Sequence, residues 1–135
     1  MTDLFVYGAL MYKDVREALL GHDYETTDAT LQGHTRKETK ELPYPALIKQ
    51  PGTQVQGILL RNIHTPDLIV LDKFHTDHKR TLIHIETNNK EIIASTYTPK
   101  EHVEILENDW SEETLDYAAF YLEHIIPAFF KNLNK

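Results

Sequence analysis

Phe5-Val6-Tyr7-Gly8-Ala9-Leu10 decides how this chain is read, because it joins a short apolar strand to a helix through a glycine turn. Leu4 to Val6 read as the strand. Gly8 permits a tight or positive-φ backbone, and Asp14 to Leu20 read as a helix closed by Gly21. Peptide amides at such a junction precede the first helical hydrogen bond, so they are available to a carboxylate or an oxyanion. An ordinary strand-turn-helix connection has the same pattern, so the hexapeptide alone leaves both readings open.

Working outward, Ala29 to Glu38 and Tyr44 to Lys49 read as strands separated by the charged run Lys37-Glu38-Thr39-Lys40-Glu41, which is expected as a solvated loop. Pro51-Gly52 marks a turn, and Gln54 to Asn62 alternates in part and is expected as a strand. Thr65 is placed as an N-cap with Pro66 at the first helical position, and Leu68, Ile69, Leu71 and Asp72 carry a helix to about Phe74. His75 then falls at or just past its end. Thr81 to Glu86 and Glu91 to Tyr97 flank Asn88-Asn89 as a hairpin.

From Ser111 to Leu133 a long helix is expected, with Glu112 and Glu113 in its first turn. Its apolar stripe contains Leu115, Ala118, Ala119, Leu122, Ile125, Ile126, Phe129, Phe130 and Leu133. Pro127 should kink it. The stripe reads as core or subunit contact, and Trp110 as a residue packed against the body. About six strands with a few helices, and no strict alternation of strand and helix, give an α+β class.

A chain of 135 residues that is 41% hydrophobic and lacks a linker or repeat is expected as a single domain, 1–135. The formal charge of −7 disfavours a nucleic-acid partner, which would need clustered Lys and Arg. Without cysteine, disulfides, thiolate nucleophiles and thiolate metal sites are excluded. No basic-then-apolar leader and no apolar run of ~20 residues is present, so no membrane partner is expected and a cytoplasmic location is the default. Nothing in the pattern sets the oligomeric state.

Four segments in order, Tyr7-Gly8-Ala9-Leu10, Tyr44-Pro45-Ala46-Leu47, Val55-Gln56-Gly57-Ile58-Leu59 and Leu71-Asp72-Lys73-Phe74-His75, resemble the γ-glutamylcyclotransferase-like superfamily in its AIG2-like branch. The resemblance runs from Leu4 to about Tyr97. It implies a small mixed β-barrel with peripheral helices. It also implies a reaction in which the α-amine of a γ-glutamyl group attacks its own γ-carbonyl, giving 5-oxoproline and a free amine. The implied partner is a small molecule bearing a carboxylate, and no cofactor or metal is implied.

The family pattern implies Tyr7, Gly8, Ala9 and Leu10 as the substrate-binding turn, and a catalytic glutamate where this chain has His75. Ala9 replaces a usual hydroxyl residue, and the tyrosine and arginine that often follow appear as His78 and Arg80. Imidazole keeps a possible base but discards an anion, since histidine with a pKa near ~6.5 is mostly neutral at pH 7. Asp77 is the nearest replacement acid, Asp72 could orient or charge the ring, Arg80 could meet a substrate carboxylate, and Tyr97 would border the pocket. His75 and His78 with Asp72 or Asp77 lack the longer His-Glu-x-x-His pattern of a metal site, while His22, His34 and His124 show no ligand-like grouping. A second reading keeps the turn in a non-catalytic carboxylate-binding domain. A third makes the C-terminal helix a protein-interaction module.

Overall fold

The computed structural model describes residues 2–40, 43–111 and 117–133. The apolar start forms β1, Thr2–Val6, and a single 3-10 turn over Ala9–Met11 leads to α1, Lys13–Leu20. Gly21 closes α1 in the left-handed region at φ 83, its N–H donating to the Glu17 carbonyl at 2.8 Å. Then come β2, Thr26–Thr39, β3, Ala46–Ile63, and α2, Thr65–Phe74. The hairpin strands β4, His78–Thr87, and β5, Lys90–Pro99, turn on Asn88 and Asn89, both at positive φ. The last strand is β6, Ile105–Asp109.

Strand pairings β3–β1, β1–β5, β5–β4, β4–β2 and β2–β3 return to their starting point, so five strands close a barrel-like ring and β6 joins it on β2. Among the described residues only the β1–β5 pairing is parallel, which makes the sheet mixed. Successive side chains of β1 point to opposite faces. Phe5 and Tyr7 enter the ring with Leu31, Leu59 and Ile85, while Leu4 and Val6 pack outward against Val15, Leu71 and Tyr121 of the helical layer. A strand buried on both faces needs an unbroken apolar run, and this one has it.

Three local expectations are corrected. Lys37 to Thr39 are not loop but the end of β2, because Lys37 pairs with Ala46 of β3 and with Asp109 of β6. Pro51-Gly52 does not separate two strands: β3 continues through it, and the irregularity is absorbed beside the register shift between Gln32 and His34. The N-cap of α2 is His64 rather than Thr65. Glu41 lies outside the described residues.

Of the expected C-terminal helix, Glu112, Glu113 and Leu115 lie outside the described residues. Tyr117 to Leu133 is helical as α3, Tyr117–Phe120, a π turn, Tyr121–Ile125, and α4, Ile126–Leu133. The π turn is the form taken by the expected proline distortion. Pro127 has no N–H and its ring crowds the carbonyl four residues back, and the helix widens just before it, with Ile126 N–H donating to Tyr121. The stripe packs inward: Ile126 is buried, and Leu122, Ile125, Phe129 and Phe130 lie against the same helical-layer core. Leu133 remains exposed.

Candidate functional site

Where β1 leaves the ring, Tyr7, Gly8, Ala9 and Leu10 form one wall of a cavity of about 210 Å³. Gly8 is at φ −134, not in the positive-φ region. Its lack of a side chain matters for another reason: a Cβ there would come 3.3 Å from Cδ of Pro45, so the turn and the Tyr44-Pro45 segment approach through the glycine. The turn closes through Met11 N–H to the Gly8 carbonyl at 3.0 Å and Tyr12 N–H to the Ala9 carbonyl at 3.1 Å. The amides of Gly8, Ala9 and Leu10 precede these bonds and donate to no other described residue. Arg36 of β2 braces the turn from behind, Nη1 donating to the Tyr7 carbonyl at 3.0 Å, with its guanidinium over the Trp110 ring. Trp110 thus packs on the body, as expected.

The facing wall is the connection from α2 to β4, where His75, Thr76, Asp77 and His78 line the cavity. His75 is the C-cap of α2, and the Leu71 carbonyl accepts both its backbone N–H at 3.1 Å and its ring Nδ1 at 2.7 Å. A carbonyl only accepts, so Nδ1 carries the proton and Nε2 presents a lone pair. The ring stacks on Tyr97 with centroids 3.9 Å apart and planes 5° from parallel, and meets His78 edge-on at 5.4 Å. Desolvation outweighs the Leu71 hydrogen bond and holds the His75 pKa down to about 3. His78, against the Tyr44 ring at 4.4 Å, is lowered to about 4 for the same first reason, with Asp77 opposing. Both rings are neutral at pH 7.

Tyr97 ties the walls together. Its carbonyl accepts the Tyr7 hydroxyl, its ring covers His75, and its own hydroxyl donates to Asp72 Oδ1 at 2.6 Å. Burial raises the pKa of both phenols, so each stays a donor. Arg80 forks onto Asp72 through Nε at 3.1 Å and Nη2 at 3.2 Å. Burial raises the Asp72 pKa, yet Arg80 and Tyr97 together hold it below its usual value. Neither Asp72 nor Arg80 lines the cavity, and no hydrogen bond joins Asp72 to the His75 ring among the described residues. Their link to the site runs through Tyr97.

Asp77 does line the cavity, and its Oδ1 is held by His102 Nε2 at 2.8 Å. That hydrogen bond, then the nearby Tyr44 hydroxyl, keep the carboxyl below its usual pKa against partial burial. The Tyr44 hydroxyl is itself buried without a hydrogen bond of regular geometry. Sequence reasoning did not single out Tyr44, Arg36 or His102 for the site. Tyr44 carried a signal in its Tyr-Pro step, whereas His102 lies in the turn before β6 and only the tertiary fold brings it to Asp77. Among the described residues no group of three or more metal-ligating side chains gathers, and no helix is long and apolar enough to cross a membrane.

A family model described as gamma-glutamyl cyclotransferase, AIG2-like, matches residues 4–112. AIG2-like protein D of Arabidopsis thaliana is 33% identical over 101 residues, which are 72% of this chain and 66% of that relative, just under two thirds of its length. An Arabidopsis thaliana protein solved in solution superposes with a TM-score of 0.71 at 23% identity, over 98% of this chain and 91% of that one. A solved gamma-glutamyl cyclotransferase gives 0.66 at 16% identity, over 77% of this chain and 69% of that one, a likeness of fold.

Proposed function

Because the chain belongs to the gamma-glutamyl cyclotransferase, AIG2-like family, we propose that its cavity takes a γ-glutamyl amine or related small amide and closes the glutamyl part to 5-oxoproline, with the cytoplasm as the setting. One observation carries this reading: the Tyr7-to-Leu10 turn and the His75-to-His78 wall line the same cavity. At about 210 Å³ it falls below the ~300 to 1,000 Å³ of pockets for drug-sized ligands, which suits a small amino-acid amide.

The reacting nitrogen and carbon are in one molecule, so the protein's task is to fold the substrate into attacking geometry. An α-ammonium has a pKa near ~8 and must lose a proton before it attacks. Two groups on the wall can receive it, Nε2 of His75 and the Asp77 carboxylate. Opposite them, the amides of the turn, which pair with no other described residue, suit the oxygen that becomes negative on the tetrahedral carbon. Collapse of that oxygen breaks the amide bond and releases the amine.

Incubation of the purified chain with a panel of γ-glutamyl amines should release 5-oxoproline, read by mass spectrometry. The same compounds should raise the melting temperature, since a ligand at a hundred times its dissociation constant stabilises by ~2.7 kcal/mol. No release and no shift with any of them would end the reading. The lowered pKa of His75 favours a second one, a carboxylate-binding domain without turnover. A thermal shift without 5-oxoproline is its signature.

A further inference from the structure

An ammonium-bearing substrate brings a positive charge into a cavity whose two histidines are neutral, and the residue at the family's acid position cannot balance it. Among the described residues that line the cavity, Asp77 is the one acid. We propose that Asp77, positioned by His102, is the working anion of this site: it anchors the α-ammonium of the γ-glutamyl part and takes its proton, in place of an acid at position 75. The proposal rests on the γ-glutamyl reading above.

The placement of Asp77 supports the role. Its backbone is pinned where the wall turns, with its carbonyl accepting Lys100 N–H at 2.8 Å. One carboxylate oxygen is held by His102. The other has no regular hydrogen bond among the described residues, and the unsatisfied hydroxyl of Tyr44 stands nearby. The Asp77 side chain is 37% exposed and that of His102 60% exposed, so the pair sits at the rim. A rim carboxylate meets an ammonium that keeps part of its water, whereas an ion pair drawn fully inside would lose more to desolvation than it regains.

In the step this implies, one proton passes from the α-ammonium to the Asp77 oxygen that His102 does not hold. The nitrogen lone pair forms the bond to the γ-carbon, and the carbonyl π electrons move to oxygen. When that oxygen re-forms the carbonyl, the amide C–N bond breaks and the departing nitrogen takes the proton back from Asp77. The ring nitrogen then gives up its second proton, which passes by the same carboxylate to the amine, so that the ring keeps one N–H and the amine departs as its ammonium. The carboxylate is regenerated, and 5-oxoproline and one amine leave.

The test compares γ-glutamyl methylamide with its N-acetyl analogue, which has the same shape around the amide but no positive charge. Calorimetry on the wild type should show the ammonium compound binding about fivefold more tightly or better, the scale of a half-solvated ion pair. Asp77→Asn should erase that preference and lower kcat by about 100-fold, whereas His75→Gln should retain the preference. His102→Asn should raise KM more than it lowers kcat, because its effect is on the placement of the anion. Equal binding of the two compounds by the wild type would overturn the proposal without recourse to any variant. So would an Asp77→Asn protein, folded by near-ultraviolet circular dichroism, that keeps the preference, or loss of the preference in His75→Gln. A wild type that binds neither compound overturns the γ-glutamyl reading itself.

Discussion

The two ends of α2 treat histidine in opposite ways. At the N-terminal end, Asp67 in the first turn accepts His22 Nε2 at 2.6 Å and the Tyr24 hydroxyl as well, on the open surface. There the hydrogen bond to Asp67 raises the His22 pKa. At the C-terminal end, His75 lies against Leu71, Tyr97 and Phe74, no carboxylate among the described residues bonds to its ring, and its pKa falls to about 3. A helix C-terminus by itself favours a protonated histidine. Desolvation reverses that preference here, so burial and the nearest hydrogen-bond partner decide the charge of these imidazoles.

The contrast is broken most strongly by placing an acid at the half-buried end, at position 75. His75→Glu puts a carboxylate opposite the Tyr7-to-Leu10 turn, and release of 5-oxoproline from γ-glutamyl amines should rise about 100-fold, the lower range of general-base effects. An assay of initial rates checks this, and a rate equal to wild type would remove position 75 from the chemistry.

A second test uses acid stability. The folded pKa of His75 lies below its unfolded value near ~6.5, so the contribution of the neutral ring is complete above that pH and is lost as pH falls toward about 3. Denaturant titrations at pH 7 and pH 5 should show His75→Gln losing about 2 kcal/mol less than wild type over that interval. Equal losses would mean that the ring is not desolvated. His78, lowered to about 4, should act in the same direction.

The smallest effect belongs to the exposed end and has the opposite sign. The folded pKa of His22 is raised, so its pairing with Asp67 stabilises below the unfolded pKa and is lost as pH rises through the folded one. His22→Gln should therefore lower the melting temperature slightly at pH 5 and leave it unchanged at pH 8. A deficit confined to pH 8 would refute the assignment.

The most local features were the ones legible in the sequence. Gly21 ends α1, Asn88-Asn89 turns the hairpin and Pro66 stands in the first turn of α2, one position later than expected, each through backbone preferences that act within a few residues. The strand character of Lys37 to Thr39 was hidden because its residues are polar. They are extended because β3 and β6 flank them, and that pairing is set by partners elsewhere in the chain. β6 was missed for the same reason: its Ile105, Glu107 and Asp109 are largely solvent-facing and show no buried stripe.

By itself the sequence determined the glycine turn after a short apolar strand and the family, and the resemblance set the expectation of an acid where this chain has the imidazole of His75. Only the tertiary structure decided that this imidazole is neutral, that Tyr97 carries Asp72 and Arg80 to it indirectly, and that Asp77 and His102 meet at the rim. The division has a physical cause. Backbone conformation follows from neighbours along the chain, whereas the charge of a side chain follows from the water removed and the dipoles supplied by residues that only folding brings near.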